Sequence, residues 1–320
     1  MSKLLEVKNL RTYFYTDDGV SKAVDGVNLG LSEGETLGIV GESGCGKSVT
    51  ALSIMRLLPE QTAKIESGEI LFMDKDIIRL SEKDMRQTRG NEISMIFQEP
   101  MTSLNPAYTC GNQLTEAITT HLDLSRKEVK EKAVNMLSVA GISNPEKRFN
   151  EYPHQLSGGI RQRVMIAIAL SCNPKILIAD EPTTALDVTV QAQILDLIKK
   201  LQTETGMGLI LITHDLGVIA EMADNVAVMY ASKIVEFGSA EEIFYNPKHP
   251  YTIALLESIP RMTTGEGRLP SIEGTVPSSL NYPEGCRFAA RCREADAKCG
   301  LEEPPEVKIS EKHFSYCWRN

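Results

Sequence analysis

The sequence predicts an α/β protein with a mainly parallel sheet covered by helices on both faces. Short apolar segments of strand length alternate along the chain with longer segments of helical periodicity, and this alternation is typical of sheets built from strand–helix–strand units. Turns rich in glycine and proline separate the two kinds of segment. The length of 320 residues suits one large domain plus an appendage.

The composition is that of a soluble globular protein, with 42% hydrophobic and 24% charged residues. The 34 basic and 43 acidic residues give a net charge of -9, which weighs against nucleic-acid binding because such proteins usually carry a basic face. No apolar run approaches the roughly 20 residues of a membrane helix, and the first residues show no secretion signal. We therefore expect a cytoplasmic chain whose membrane association, if any, is made through a partner.

Each element follows from a local pattern of apolar residues, taken in chain order. Apolar runs that end in turns predict strands at 4–14, at the start of 35–48, and at 92–100, 175–180, 208–215 and 225–238. Helical periodicity predicts helices at 49–58, within 111–141, and at 160–170, 190–206 and 240–260, the last with a proline break. Residues 261–285, rich in Gly, Pro, Ser and Thr, are typical of a linker.

The segment GESGCGKS (41–48) fits the phosphate-loop pattern G-x-x-x-x-G-K-[ST] and lies between a predicted strand and a predicted helix. Its glycines let backbone N–H groups turn towards phosphate oxygens, and the helix dipole adds to this attraction. Lys47 is expected to bridge the outer phosphates and Ser48 to bind Mg²⁺. The predicted nucleotide contacts of this segment are Gly41, Ser43, Gly44, Cys45, Gly46, Lys47, Ser48 and Val49.

A pair of carboxylates follows a second apolar run. ILIAD (176–180) ends in Asp180, and Glu181 comes next. A carboxylate at the tip of a buried strand is placed to hold Mg²⁺, through water in this case. Glu181 is then expected to polarise the attacking water as a general base.

These motifs appear in one order with Gln98 after an apolar strand, LSGGIRQR (156–163) and His214 in ITHD. Together they resemble the nucleotide-binding subunit of an ABC transporter, a P-loop ATPase. The resemblance implies that two chains meet head to tail, so that the LSGG of one covers the ATP held by the other. Ser157, Gly158 and Gly159 at a helix start would supply this second anion site. One chain holds one copy of each half, so two complete sites need two chains.

The resemblance also implies roles for single residues. Gln98 would sense the γ-phosphate and Mg²⁺, and His214 would contact the γ-phosphate beside the catalytic Glu181 and Lys47. Asp187 would cross the dimer interface.

One aromatic side chain near the start of the chain would stack on adenine. Phe14 fits this position, and its neighbours Tyr13 and Tyr15 stay as alternatives.

Four longer segments, 98–109, 154–170, 179–195 and 249–260, resemble the ATPases of dipeptide and oligopeptide importers. This branch implies a peripheral chain on the cytoplasmic side of the membrane, bound to two permease subunits. It also implies a second, homologous ATPase chain forming a heterodimer, a peptide-binding protein that acts indirectly from outside, and no nucleic acid. Nickel-importing relatives share much of the core, and a soluble ABC ATPase without a transport role is the more distant alternative.

The predicted domains are an ABC nucleotide-binding domain, 1–238, and a C-terminal extension, 239–320. A helical subdomain at about 99–154 is expected to dock on the permease.

Four of the seven cysteines lie in the last part of the chain, spaced Cys286-x5-Cys292-x6-Cys299-x17-Cys317. A disulfide pair is disfavoured in a reducing cytosol, and structural zinc usually uses a tighter knuckle than any found here. Wider loops suit an iron–sulfur cluster. GCRFAARC (285–292) resembles the tail of related peptide-importer ATPases. In some of these the tail holds a [4Fe–4S] cluster, so the resemblance implies such a cluster here, with a structural role, ahead of Zn²⁺ and of free thiols.

Overall fold

The computed structural model describes residues 3–98, 103–184, 186–258 and 272–320. The chain divides into two compact units. The first comprises Met1–Leu31, Thr36–Ile78 and Leu211–Asn320, and the second comprises Ser32–Glu35 and Arg79–Ile210.

Strands and helices alternate along much of the described chain. The strands are β1 (Lys3–Thr16), β2 (Gly19–Ser32), β3 (Thr36–Val40), β4 (Ala63–Phe72), β5 (Lys75–Asp76), β6 (Ile93–Ile96), β7 (Ile176–Asp180), β8 (Gly208–Ile212), β9 (Asn225–Tyr230), β10 (Lys233–Ser239), β11 (Val307–Lys308) and β12 (Phe314–Ser315). The α-helices are α1 (Lys47–Met55), α2 (Glu82–Thr88), α3 (Cys110–His121), α4 (Arg126–Val139), α5 (Pro145–Phe149), α6 (Gly158–Leu170), α7 (Val188–Thr205), α8 (Leu216–Met222), α9 (Ala240–Tyr245), α10 (Pro250–Glu257) and α11 (Ala297–Leu301).

The first unit contains two groups of strands. One is a four-stranded sheet in the order β2-β1-β4-β5, in which β1 and β4 run antiparallel. The other has the order β11-β12-β10-β9-β3, with β3 parallel to β9 and β10 antiparallel to it. Every residue of β3 and β9 is buried, as expected of apolar strands inside a parallel sheet. These two strands are part of the buried core of the unit.

The second unit contains β7 between β6 and β8, with β6 and β7 parallel and in register from Ile93 opposite Ile176. Strand β8 lies at the division, because its residues 208–210 belong to this unit and 211–212 to the first. Capping residues mark where helices of this unit begin and end. Ser125 and Glu128 form a capping box before α4, and α7 ends at Gly206 in the left-handed conformation.

The C-terminal segment is anchored to the first unit by one buried carboxylate. Glu236 on β10 is fully buried and accepts hydrogen bonds from the backbone N–H groups of Lys248 (2.6 Å) and His249 (2.9 Å). Its carboxylate also lies 2.7 Å from Nε2 of His313, just before β12, which itself pairs with β10. Three separate segments therefore meet at this side chain.

The predicted α/β class is confirmed, and each predicted strand or helix has a counterpart among the described residues. Several features differ from the prediction, and the short elements β5, β11, β12, α2 and α8 were not predicted. Strands β2 and β4, which build an antiparallel sheet, were not predicted, and the helical segment 111–141 is two helices, α3 and α4. The end of the predicted strand 92–100, the start of the subdomain 99–154, the end of the helical segment 240–260 and part of the linker 261–285 lie outside the described residues. Within the described ranges, no helix has both the length and the apolar character needed to cross a membrane.

Candidate functional site

The phosphate loop leaves β3 and requires glycine at two close approaches. Gly41 has φ of 150° and Gly46 has φ of 104°, values that side chains disfavour. A Cβ atom at Gly41 would lie 2.1 Å from the carbonyl oxygen of Met229, and one at Gly46 would lie 2.3 Å from that of Ala23. The surrounding backbone therefore fixes the path of the loop.

Lys47 is the first residue of α1, at the positive end of the helix dipole. Its side chain is buried, and Nζ donates hydrogen bonds to the carbonyl oxygens of Gly41 (2.7 Å) and Glu42 (3.1 Å). The ammonium group thus lies inside the loop, where the sequence places it for phosphate binding.

The other predicted contacts divide by exposure. Ser43 and Gly44 are exposed at the loop tip, and Ser48 and Val49 are half-buried in the first turn of α1. Cys45 is buried, and burial raises the pKa of its thiol, so a reactive thiolate is disfavoured there.

Two of the three candidate adenine-stacking aromatics are engaged elsewhere. The hydroxyl of Tyr13 donates to Asp25 (3.1 Å), and that of Tyr15 donates to Glu66 (2.6 Å). Residues 13 and 15 share one face of β1 because strand side chains alternate, so Phe14 lies on the opposite face.

Phe14 shares its face of β1 with Thr12. The hydroxyl of Thr12 is 2.8 Å from that of Ser53 on α1, and both residues are buried. The face that carries Phe14 is therefore the one turned towards the helix of the phosphate loop. This favours Phe14 over its two neighbours as the adenine contact.

The carboxylate pair lies at the end of β7 in the second unit. Asp180 is the last residue of the strand and is buried. Glu181 follows with φ of 48°, a left-handed conformation that is uncommon for a non-glycine residue. Its Oε2 accepts hydrogen bonds from Nε2 of Gln98 (2.9 Å) and from Oγ1 of Thr184 (2.8 Å). The structure thus brings the predicted general base and the predicted γ-phosphate sensor into direct contact.

The LSGG motif lies where a helix begins. Ser157 is the N-cap residue of the 13-residue helix α6, its side chain makes no capping hydrogen bond, and Gly158 and Gly159 open the first turn. Ser157 and Gly158 are exposed. A hydroxyl not used in capping and helix N–H groups at an exposed helix start suit an anion.

Asp187 and His214 are both exposed. Asp187 caps α7 by accepting from the backbone N–H of Val190 at 3.0 Å, a local role that the sequence argument missed although an aspartate before a helix signals it. His214 follows β8 and belongs to the first unit, as does Lys47.

Two residues near the nucleotide loop were missed. Tyr251 and Arg291, both from the C-terminal extension, hydrogen-bond to Glu42, the second residue of the loop. HPYT at 249–252 was recognised only as a feature of the peptide branch. No sequence pattern links residues more than 200 positions apart, so these contacts needed the fold.

His249 belongs to the same motif. It is buried, and its Nδ1 accepts a hydrogen bond from the N–H of Tyr251 (3.1 Å). The buried ring nitrogen therefore has a hydrogen-bond partner, as buried polar groups usually do.

The four C-terminal cysteines, Cys286, Cys292, Cys299 and Cys317, line one small cavity. The N–H of Cys286 donates to the carbonyl oxygen of Cys299 (2.7 Å), which closes the intervening segment. Burial raises the pKa of Cys286 to about 11 and also raises that of Cys292 and Cys317.

Within the described ranges, no three or more His, Cys, Asp or Glu side chains are grouped so that they could hold a metal ion. The two candidate groups, a zinc ion and an iron–sulfur cluster, differ in the geometry that they require of their ligands. A single zinc ion needs all its ligands at about 2.1–2.3 Å from one point, whereas an iron–sulfur cluster is a larger body held by cysteines around it. The iron–sulfur assignment stays a prediction.

Comparison with known proteins places the fold and the motifs in one family. The model of the ABC transporter family matches residues 24–184, and that of the oligopeptide/dipeptide transporter C-terminal region matches residues 235–299. The chain therefore belongs to the ABC transporter family, as one of its ATP-binding, ATP-hydrolysing chains. The resemblance inferred from the motifs is confirmed.

Two similar proteins come from one branch of this family, the peptide transporters. The dipeptide transport ATP-binding protein DppD of Bacillus subtilis is 54% identical over 318 residues, 99% of this chain and 95% of the relative. The oligopeptide transport ATP-binding protein OppD of the same organism is 53% identical over 319 residues, 99% of this chain and 89% of the relative.

Solved structures share the ATP-binding cassette. A dimeric ABC cassette in a post-hydrolysis state with ADP and Pi superposes with a TM-score of 0.67 at 29% identity, covering 74% of this chain and 98% of that one. A component of the cbiONQ ABC transporter complex of Clostridium perfringens gives a TM-score of 0.64 at 30% identity, covering 77% and 92%.

Proposed function

We propose that this chain hydrolyses ATP to drive the import of dipeptides or oligopeptides through membrane permease subunits. The observation that carries the ATPase part is the hydrogen bond between Gln98 and Glu181 at the end of β7. This bond orients the carboxylate that would take the proton from water. The peptide cargo rests on the relatives and on the C-terminal match to residues 235–299.

The side chains divide the work on MgATP. Lys47 would neutralise the outer phosphates, and Ser48, Gln98 and Asp180 would hold Mg²⁺ directly or through water. Glu181 takes the proton from the attacking water.

His214 contacts the γ-phosphate and Phe14 stacks on adenine. The hydroxyl contacts of Tyr13 and Tyr15 leave Phe14 as the aromatic best placed for this role.

The second half of each nucleotide site comes from another chain. Ser157, Gly158 and Gly159 at the start of α6 would cover the γ-phosphate held by a homologous ATPase subunit, and Asp187 would lie at the interface. One chain carries one copy of each half, so a head-to-tail pair is the smallest complete arrangement. We propose a heterodimer of this kind.

The partners follow from the importer class. We propose two permease subunits as the membrane anchor, contacted through the helical subdomain at about 99–154, with this chain peripheral on the cytoplasmic side. A peptide-binding protein outside would act indirectly. Residues 1–238 would form the nucleotide-binding domain and 239–320 the extension.

The four-cysteine cavity would hold a [4Fe–4S] cluster with a structural role, supplying free energy of folding to a segment with little core of its own. Iron, acid-labile sulfide and zinc would be measured in anaerobically purified full-length chain. About four irons and four sulfides are expected, lost in Cys292→Ser and kept in Cys172→Ser, a matched cysteine outside the cavity. One zinc ion per chain without sulfide would mean that the cavity holds a structural zinc ion instead of the cluster. If neither iron nor zinc is found, the four cysteines are free thiols.

Uptake tests the cargo. Cells lacking this chain would be complemented with wild type, Lys47→Ala, Glu181→Gln or the surface control Glu204→Gln, and supplied with a labelled dipeptide, a labelled pentapeptide or nickel. We expect wild type and Glu204→Gln to restore peptide uptake and the other two to fail. Restoration of nickel uptake alone would make the chain part of a nickel importer, and restoration of none would refute the transport role.

A further inference from the structure

Glu42, the second residue of the phosphate loop, is held by the C-terminal extension at two points. Its backbone N–H donates to the hydroxyl oxygen of Tyr251 on α10 at 2.9 Å. Its two carboxylate oxygens accept from Nη1 (2.7 Å) and Nη2 (3.0 Å) of Arg291. Such a two-point guanidinium–carboxylate pair is both stronger and more directional than a single hydrogen bond.

Arg291 is itself fixed in place. Its side chain is only 5% exposed, against 26% for that of Glu42. Besides Glu42, the guanidinium donates to the carbonyl oxygens of Ile272 (3.1 Å) and Glu273 (3.0 Å). It also donates to the hydroxyl of Tyr230 at 3.3 Å. Because Nε, Nη1 and Nη2 of the guanidinium all donate hydrogen bonds, the side chain is held in one arrangement.

The same loop residue also contacts the phosphate-binding lysine. Nζ of Lys47 donates to the carbonyl oxygen of Glu42. A displacement of Glu42 would therefore move the ammonium group and the neighbouring loop N–H groups together. Small displacements of this kind cost binding and rate, since phosphate recognition depends on the aim of several donors at once.

We propose that Arg291 is a positioning residue for the nucleotide, which fixes Glu42 and so makes ATP affinity depend on the docked C-terminal extension. This rests on the proposed role of the phosphate loop. Arg291 directly precedes Cys292, so the cysteine cavity and the loop are joined through one residue.

The test measures the Kd of MgATP for the full-length chain by displacement of a fluorescent ATP analogue. Arg291→Gln and Glu42→Gln are each expected to raise Kd by about 5- to 10-fold, the size of a moderate coupling. The double variant should be no weaker than either single one, because both remove the same interaction. Arg291→Lys, which keeps the charge but not the two parallel bonds, should lie between Arg291→Gln and wild type.

Arg293→Gln is the matched control, because Arg293 is exposed in the same segment, and it should keep the wild-type Kd. Melting temperature is recorded for each variant. If Arg291→Gln does not fold, Glu42→Gln carries the test, since it keeps the size of the side chain. Wild-type Kd in folded Glu42→Gln, with ATP binding lost in Lys47→Ala, would overturn this inference alone. Wild-type binding in Lys47→Ala would overturn the phosphate-loop role itself and this inference with it.

Discussion

The pair formed by Arg287 and Asp25 gives the most detailed prediction about how the extension is held. Arg287 donates through Nη2 to the Asp25 carboxylate and through Nη1 to the carbonyl oxygen of Ala231 at 2.6 Å. The two side chains are 6% and 11% exposed. Replacing Arg287 by Met keeps the length and apolar stem of the side chain but removes both contacts.

The expected loss in free energy of unfolding follows from the charge that remains on Asp25. Removing one partner of a buried ion pair typically costs about 3–5 kcal/mol, because the remaining charge is left without compensation. Asp25 keeps two weaker partners, the hydroxyl of Tyr13 (3.1 Å) and Nε of the half-exposed Arg11 (3.4 Å). We therefore expect the lower end, about 3 kcal/mol, or roughly a 100-fold change in the folded-to-unfolded ratio.

Urea unfolding followed by the fluorescence of Trp318 measures this effect. Trp318 is the single tryptophan and lies in the extension, so its signal reports the segment that Arg287 holds. Asp25→Asn completes a double-mutant cycle, and the double variant should cost less than the sum of the single ones. A free energy of unfolding for Arg287→Met within about 0.5 kcal/mol of wild type, the range of an ordinary surface substitution, would refute the reasoning.

Three further predictions concern the loop, the buried carboxylate and acid stability. Gly46→Ala should abolish ATP binding or folding, because the added Cβ meets backbone 2.3 Å away; titration with ATP and circular dichroism measure this, and normal binding would contradict it. Glu236→Ala leaves the His313 ring and two backbone N–H groups without their acceptor and should cost about 3 kcal/mol or more in urea unfolding, whereas a cost below 1 kcal/mol would count against it. Burial opposes ionisation of Asp25, but Arg287 outweighs it and lowers its pKa. The ionised carboxylate therefore adds stability that is present above about pH 4 and lost as pH falls through the folded pKa. The free energy of unfolding, measured between pH 5 and 3, should decrease more steeply with falling pH in wild type than in Asp25→Asn. Parallel curves for the two proteins would contradict this.

Local sequence patterns predicted the nucleotide-binding motifs because the functional residues of each motif lie close together in the sequence. The phosphate loop needs glycines and Lys47 at fixed spacing, and Asp180 and Glu181 need only the end of an apolar strand. The helix start at LSGG follows for the same reason.

The antiparallel sheet and the docking of the extension could not be predicted in this way. In strand β2 only the second half alternates, with Val27, Leu29 and Leu31 buried between less buried residues. The first half shows no such pattern, so the place of the strand as a whole depends on its pairing with other strands. Arg287 and Arg291 look like ordinary surface residues in a cysteine-rich segment. Their partners, Asp25 and Glu42, lie 262 and 249 positions away, a separation that no local pattern encodes.

The measurement that tests the central claim most directly compares ATP binding with phosphate release in wild type and Glu181→Gln, with Glu204→Gln as the surface control. If Glu181 is the general base, phosphate release should fall by about 100-fold or more in Glu181→Gln, while the Kd of MgATP stays near that of wild type. Glu204→Gln should match wild type in both. Phosphate release by Glu181→Gln at the wild-type rate would contradict the account of this chain as an ATPase that works through the carboxylate at the end of β7.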